Sequence, residues 1–334
     1  MASKAILEHT TPVQQDEDVV AAAARLAGED LCSINDLSSS EVRAILKLGH
    51  DVKRNPREYR HALDAKQMVL MFEKASLRTR LSFESGINTM GGNAIFFDQT
   101  NAPLGERESL ADIARNVERW VDVIVLRTYA HDTITEMASY SRTPVINALS
   151  DFEHPCQALA DFMTLQEHFG SVRGLNFTYV GDGNNVCHSL MLTGAQLGAN
   201  VTVATPRGYS PDIEIVTLAR EKAEANGCEI RLTQDPQAGV ENADAVYTDV
   251  CVSMGFEHES TKRAPIFRPF QVNEALMAKA SQHAVFMHCL PARRNAEVTD
   301  AVLDGPQSIV FEQAENRMHA QKALLLLLLG GLSY

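Results

Sequence analysis

The run Ser76-Leu77-Arg78-Thr79-Arg80 places two hydroxyls and two guanidinium groups within five residues, a short way after the apolar stretch Gln67 to Phe72. The apolar stretch has the length of a strand, and the residues after the run lead into a helical pattern that stops at Gly91-Gly92. A strand-loop-helix junction offers an anion the unpaired N–H groups of the helix start and the positive end of its dipole. Arg78 adds a planar fork that matches phosphate oxygens, and each charge-assisted bond contributes roughly 1.5 to 3 kcal/mol. Taken alone, the run reads more simply as a capped helix with solvated arginines.

Other candidates fall at the ends of other predicted strands. Arg127 closes Val121 to Arg127, and His154 with Gln157 follows Val145 to Asn147. Open α/β sheets place their ligands at such C-terminal strand ends, so these side chains can share one crevice with the 76–80 run. Singly, a strand-end arginine is more often an ion-pair partner and a histidine more often a satisfied core residue. In the second half, Gly181-Asp182-Gly183 after Asn176 to Val180 raises a dinucleotide reading. The third glycine is replaced by Val186, and the next strand ends in Ala204-Thr205-Pro206 without an acidic ribose partner. Asp249, Ser253 and Met254 follow the strand Ala245 to Thr248 and supply a carboxylate, a hydroxyl and an adaptable apolar wall. Such a set suits a zwitterionic amino acid with an aliphatic chain, although on its own it also fits a plain turn.

The elements that would carry these residues alternate. Helices are predicted from Ser38-Ser39-Ser40 to Pro56 and near 108–119, 131–140 and 155–168, between strands that include Ala94 to Phe97. A fresh strand-helix series starts after Gly174 with a helix to about Leu197, the strand Val201 to Ala204, and later Val285 to His288. This is an α/β chain of two doubly wound parallel-sheet domains joined by helices. Residues 1–30 read as a flexible N-terminal extension with room for one helical turn or two. Residues 31–165 form the first domain and 166–315 the second, and the C-terminal helix, 316–334, returns to the first.

Composition limits the partners. With 334 residues, 45% of them apolar, the chain can bury two cores. Its 43 acidic and 30 basic residues give a net charge of -13, which argues against nucleic acid or an anionic membrane and requires a local positive cluster for any anionic substrate. The apolar run Ala323 to Leu329 is too short to span a bilayer, and the N-terminus lacks the pattern of a secretory signal. Six irregularly spaced cysteines with no C-x-x-C pair fit a reduced, cytoplasmic chain.

Five segments together carry a resemblance. Phe72 to Arg80, His154-Pro155-Cys156-Gln157, Asp249 to Gly255, His288-Cys289-Leu290-Pro291 and Glu315-Asn316-Arg317 resemble, in order, the signature stretches of ornithine carbamoyltransferases. The resemblance runs from about Leu31 to the C-terminus. It implies that Ser76, the Leu77 backbone, Arg78, Thr79 and Arg127 hold the phosphate of carbamoyl phosphate. Thr79, Arg127 and His154 would polarise the carbonyl, Gln157 and the carbonyls around Cys289-Leu290 would receive the carbamoyl NH2, and Arg317 would complete the positive lining. Asn185, with Asn184, Asp249, Ser253 and Met254, would hold L-ornithine. An alkyl amine of pKa ~10.4 must lose its proton before it attacks, at a cost of roughly 4 to 5 kcal/mol at pH 7. By the resemblance Cys289 and Asp249 would assist, although Cys289 also reads as a small buried hydrophobe. No metal or organic cofactor is implied, and the family implies a homotrimer or a multiple of trimers.

The match departs from the family at three places. Pro103 and Leu104 stand where a neighbouring subunit commonly lends a polar side chain, Cys251 replaces a usual Trp, and Leu77 replaces a usual Thr. These departures keep putrescine or another diamine, or a modified ornithine, open as acceptor, while Asp249 with Ser253-Met254-Gly255 argues for unmodified ornithine. A non-catalytic relative that binds carbamoyl phosphate is a separate alternative, against which the retained Arg78, Arg127, His154, Gln157, Cys289 and Arg317 speak.

Overall fold

A computed structural model of the chain describes residues 16–251 and 260–332. The first helix, α1 (Glu17–Leu26), buries Val19, Ala22, Ala23 and Leu26, one stripe of a 3.6-residue repeat, against α2 (Ser39–Arg54) and the C-terminal helix. The expectation of a flexible extension over residues 1–30 is therefore corrected for this stretch, while residues 1–15 lie outside the described residues. The alanine run looks weak as a driving force in sequence, but its small faces allow close packing, and the Gly28 N–H reaches the Leu328 carbonyl at 2.9 Å. In α2, Ser38 and Glu41 cap the start reciprocally, and Val42, Ile45 and Leu46 are wholly buried.

The first sheet contains β1 (Gln67–Phe72), β2 (Asn93–Asp98), β3 (Val123–Arg127) and β4 (Val145–Leu149), all parallel, in the order β2-β1-β3-β4. Its connections run through α3 (Leu77–Asn88), α4 (Leu110–Val117) and α5 (His131–Tyr140). Strands β1 and β3 are nearly continuous apolar runs because both of their faces are covered. After α6 (Pro155–Phe169) comes the second sheet: β5 (Asn176–Val180), β6 (Asn200–Ala204), β7 (Ile230–Thr233), β8 (Ala245–Thr248) and β9 (Val285–His288). Its order is β7-β6-β5-β8-β9, again all parallel. Helices α7 (Asn185–Leu197), α8 (Ile213–Asn226), α9 (Pro236–Val240), α10 (Ser260–Phe267), α11 (Glu274–Met277) and α12 (Asp300–Leu303) complete this unit. Strand β7 has no counterpart in the sequence reading: it is a short edge strand whose Arg231 and Leu232 are exposed, so it presents no apolar run.

Two helices tie the sheets together. All residues from Pro155 to Leu165 of α6 are buried between the units, and α13 (Val310–Leu328) packs on α6, α2 and α3, returning to the first unit as expected. In each sheet the strand order reverses at one pair, β1/β3 and β5/β8. The paired ends are Phe72 with Arg127 and Val180 with Thr248, so the following residues project into two switch-point crevices.

Candidate active site

At the first switch point Ser76 is the N-cap of α3. Its hydroxyl oxygen accepts from the Thr79 N–H at 3.3 Å and donates to the Thr79 Oγ1 at 2.9 Å. Leu77, 70% exposed, opens the helix, and Arg78 beside it makes no hydrogen bond or ion pair with the described residues. Arg127, at the end of β3, is buried and uses its Nε to reach the Lys74 carbonyl at 3.2 Å. Arg317 comes from α13, donates from Nη2 to the Thr79 Oγ1 at 2.8 Å, and leaves a buried Nε without a partner.

None of these three guanidinium groups is paired with a carboxylate among the described residues. Burial, reinforced by Arg317 and Arg78, pushes Arg127 down to about 9, still protonated at neutral pH. Two buried cations and a half-buried third, without a carboxylate partner among the described residues, make an unfavourable cluster that a dianion would neutralise.

His154 caps α6 and is fixed through its backbone N–H, which donates to the Ser189 Oγ at 2.9 Å. Burial and the neighbouring Arg317 and Arg127 hold its imidazole well below the ordinary value, so the ring is neutral, and its Nδ1 has no partner. Gln157, one turn into α6, donates from Nε2 to the Asp161 Oδ1 at 2.7 Å, and its buried Oε1 has no partner.

Across the crevice the end of β8 presents Asp249. Its Oδ1 accepts from the Val250 N–H at 2.7 Å and the Cys289 thiol at 2.9 Å, while its Oδ2 accepts from the Asn184 Nδ2 at 2.7 Å. Burial and the facing Asp249 carboxylate push the Cys289 thiol well up, so Cys289 is a donor and not a thiolate. Asn184 caps α7 by accepting from the Val186 and Cys187 N–H groups, each at 3.1 Å. The next residue, Asn185, donates to the Ser150 carbonyl at 2.6 Å and so bridges the two units. Ser253 and Met254 lie outside the described residues.

One crevice of about 350 Å³ is lined by Ser76, Leu77, Arg78, Arg127, His154, Gln157, Asn185, Asp249, Cys289, Leu290 and Arg317. That size suits a small polar ligand pair. Two expected residues stand behind the lining. Thr79 is fully buried and braces Ser76 and Arg317, and Asn184 holds Asp249. The lining also includes Lys74 and Arg293, which the sequence reading gave no role. Lys74 stacks its ammonium 4.5 Å from the centre of the Tyr129 ring, and burial with the nearby Arg127 lowers its pKa. Its place two residues before Ser76 was the available signal, but a lone lysine has no diagnostic spacing.

The Gly181-Asp182-Gly183 turn serves packing. A β-carbon at Gly183 would lie 2.2 Å from the Pro211 nitrogen, so the chain itself occupies the approach that glycines leave open for a pyrophosphate, and Asp182 pairs with Arg263. Asp249, His288 and Cys289 bring potential metal-ligating atoms within 4.8 Å of one another. Both His288 nitrogens are already hydrogen-bonded, to Glu297 and the Leu290 N–H, and the thiol is protonated, so the set fits hydrogen bonding better than metal binding.

The chain matches two family models: the carbamoyl-phosphate-binding domain of aspartate/ornithine carbamoyltransferases over residues 29–167, and the Asp/Orn-binding domain over residues 173–328. It therefore belongs to the aspartate/ornithine carbamoyltransferase family and is a carbamoyltransferase. Within that family it falls with the ornithine enzymes. It is 53% identical to the ornithine carbamoyltransferase of Shewanella oneidensis over 89% of this chain and 98% of that one. The anabolic ornithine carbamoyltransferase of Pyrococcus furiosus is 47% identical, over 92% of this chain and 99% of that one. A solved Pyrococcus furiosus ornithine carbamoyltransferase superposes with a TM-score of 0.89, at 47% identity over 92% of this chain and 99% of that chain. The anabolic enzyme of Campylobacter jejuni gives 0.85 at 35% identity, over 89% and 97%.

Proposed function

We propose that this crevice transfers the carbamoyl group of carbamoyl phosphate to the δ-amine of L-ornithine, giving L-citrulline and phosphate. The observation that carries the reading is the convergence of three guanidinium groups without carboxylate partners, a neutral histidine and an unfilled amide acceptor opposite a hydrogen-bonded Asp249–Cys289 pair. Ser76, the Leu77 N–H, Arg78 and Arg127 bind the phosphate at the start of α3, Arg317 completes the positive lining, and Thr79 braces Ser76 and Arg317 from behind. Arg127 and the neutral His154 donate to the carbonyl oxygen as negative charge develops there. Gln157 Oε1 and the backbone at Cys289-Leu290 receive the carbamoyl NH2.

Ornithine enters between Asn185 and Asp249. The Asp249 carboxylate and the Cys289 sulfur orient the δ-nitrogen, whose proton must leave before its lone pair attacks. The C–N bond forms as the C–O bond to phosphate breaks, the remaining extra proton of the nitrogen passes to the departing phosphate, and the hydrogenphosphate dianion so formed is met by Arg78 and Arg127. Residues 31–165 with 316–334 serve the phosphate half and residues 166–315 the amine half, a division supported by the separate switch points of the two sheets. Ser253 and Met254 extend the amine half in this reading.

A homotrimer or a multiple of trimers is supported by the edge strand β2. Its exposed Ile95 and Phe97, with Leu77 and Leu81 on the adjacent α3, are 50% to 70% exposed and need cover. The Leu104 side chain is partly buried against the apolar cluster of Val69, Met71 and Leu126, and its N–H donates to the Glu73 Oε1 at 2.9 Å. A cytoplasmic setting is supported by six free cysteines, and among the described residues no helix is long and apolar enough to cross a membrane. The anabolic relatives support a place in arginine biosynthesis.

The test is purified protein with carbamoyl phosphate and, in turn, ornithine, acetylornithine, putrescine and aspartate. Citrulline from ornithine, in preference to product from the other three, is expected. No carbamoylated product from any acceptor, or faster turnover of putrescine, would overturn the reading.

A further inference from the structure

We infer that Asp161 is the positioning residue that decides which end of the Gln157 amide meets the carbamoyl group. The inference rests on the reading that Gln157 receives the carbamoyl NH2. A glutamine amide has an acceptor end and a donor end of nearly equal size, and nothing steric prevents it from turning over. Only its oxygen can receive an NH2 group.

Asp161 lies on α6 one turn beyond Gln157 and is fully buried, and its Oδ1 accepts the Gln157 Nε2 at 2.7 Å. Turned over, the amide would set its oxygen against a carboxylate oxygen and direct its NH2 toward the arginine-lined crevice. The Asp161 carboxylate therefore holds Oε1 as the outward end, and that atom is buried and unpartnered in the crevice wall.

The same Oδ1 accepts a second amide. Gln313 on α13 donates its Nε2 to it at 2.7 Å, and the Gln313 Oε1 accepts the His288 backbone N–H at 3.0 Å. A backbone N–H is an unambiguous donor, so it fixes the orientation of Gln313 independently and makes Asp161 Oδ1 an acceptor toward that amide. One carboxylate on α6 thus sets two amide oxygens: one facing the carbamoyl site, the other holding β9 immediately before Cys289 and Leu290. Burial pushes the Asp161 carboxyl up to about 7, while Gln157 and Gln313 pull it back. Oδ1 is an acceptor in the ionised form, and in the neutral form when the proton sits on Oδ2.

Acetyl phosphate provides the probe, since it keeps the phosphate and carbonyl and replaces the NH2 with a methyl group. In Asp161→Leu the KM for carbamoyl phosphate is expected to rise about ten- to a hundredfold, as a site built for a hydrogen bond loses it. The inhibition constants of acetyl phosphate and inorganic phosphate should stay within about twofold of the native protein. Asp161→Asn, which keeps an acceptor oxygen, should restore the carbamoyl preference. Equal weakening of all three ligands by Asp161→Leu would indicate a purely structural role and overturn the inference, as would an unchanged KM.

Gln157→Ala separates the inference from the reading beneath it. If that variant leaves the carbamoyl-over-acetyl preference intact, Gln157 does not receive the NH2 and both fall. If it erases the preference while Asp161→Leu does not, only the positioning role falls. Should Asp161→Leu fail to fold, Gln157→Glu tests the same contact with Asp161 in place. When neutral, the new carboxyl donates its proton to Asp161 and turns a carbonyl to the crevice; when ionised, it is repelled by the Asp161 carboxylate and leaves that position. The preference should therefore be retained at acid pH and lost as pH rises, and a flat profile would overturn the inference.

Discussion

The two halves of the crevice are prepared for their ligands in opposite ways. On the phosphate side the polar groups are left open: Arg78 has no partner among the described residues, and the Arg317 Nε, His154 Nδ1 and Gln157 Oε1 are unfilled. On the amine side they are closed on one another, with both Asp249 oxygens, both ends of the Asn184 side chain and the Asn185 amide already engaged. A ligand entering the first half satisfies buried groups and relieves repulsion among guanidinium groups. One entering the second must insert into, or replace, hydrogen bonds that already exist. The first half is an electrostatic vacancy held by the fold, and the second is a closed hydrogen-bond network.

This contrast is open to attack from its strongest point. Removing the open cation at the start of α3, in Arg78→Ala, should lower kcat/KM for carbamoyl phosphate by about a hundred- to a thousandfold, the usual effect of losing a preorganised donor. Because Arg78 supports no other described side chain, the melting temperature should not fall. Near-normal turnover would show that the vacancy is not where phosphate binds. On the closed side, Asp249→Asn replaces an acceptor of three hydrogen bonds by an amide with one oxygen. We expect about a hundredfold loss in kcat/KM for ornithine, with the KM for carbamoyl phosphate nearly unchanged. Equal losses for both substrates would mean that the two halves are not separable.

Cys289→Ser sharpens the same boundary with a smaller effect. Because the thiol is protonated and donates to Asp249, a hydroxyl should replace it at a cost of about tenfold or less in kcat, read by steady-state citrulline formation. A loss of several orders of magnitude would mean that a thiolate takes part in the chemistry.

The difference between the halves also governs how much could be read from sequence. The open side is made of residue types that announce themselves: Ser76 to Arg80 after an apolar strand, Arg127 at a strand end, and His154 and Gln157 at a helix start. The alternation of strands and helices placed them at one sheet edge, and the structure brings them together. What escaped is partnership across distance. Thr79 proved to be a brace because Arg317, from the other end of the chain, takes its hydroxyl. Asn184 is spent on capping α7 and holding Asp249. Helix α1 was read as a turn or two because half of its buried stripe, Val19, Ala22, Ala23 and Leu26, is alanine, and strand β7 was missed because it is an exposed edge without the apolar run that signals a buried strand. Lys74 and Asp161 carried no spacing signal, since their roles depend on what lies beside them once the two sheets have closed on α6.

The smallest expected effect concerns the support behind the open half. Glu153, next to His154 and wholly buried, accepts from the Ser33 hydroxyl, from the Ile34 N–H at 3.2 Å and from the Ser189 hydroxyl at 2.9 Å; Ser189 in turn receives the His154 N–H. Burial pushes its carboxyl up to about 7, against the pull of those donors. Between its ordinary value near 4.5 and about 7 the folded chain therefore holds a proton that the unfolded chain has lost. The stability linked to this proton is complete below the lower value and is lost as pH rises through the upper one. Glu153→Gln keeps an oxygen toward Ile34 and Ser189, turns its NH2 toward the Ser33 oxygen, and carries no charge at any pH. Its melting temperature should exceed that of the native protein by a few degrees at pH 8, on the order of 1 kcal/mol or more, with the gain vanishing near pH 4.5. A gain that is the same at both pH values would show that the carboxyl does not titrate in this range. A loss at both would show that the second carboxylate oxygen matters more to the strut than its charge costs.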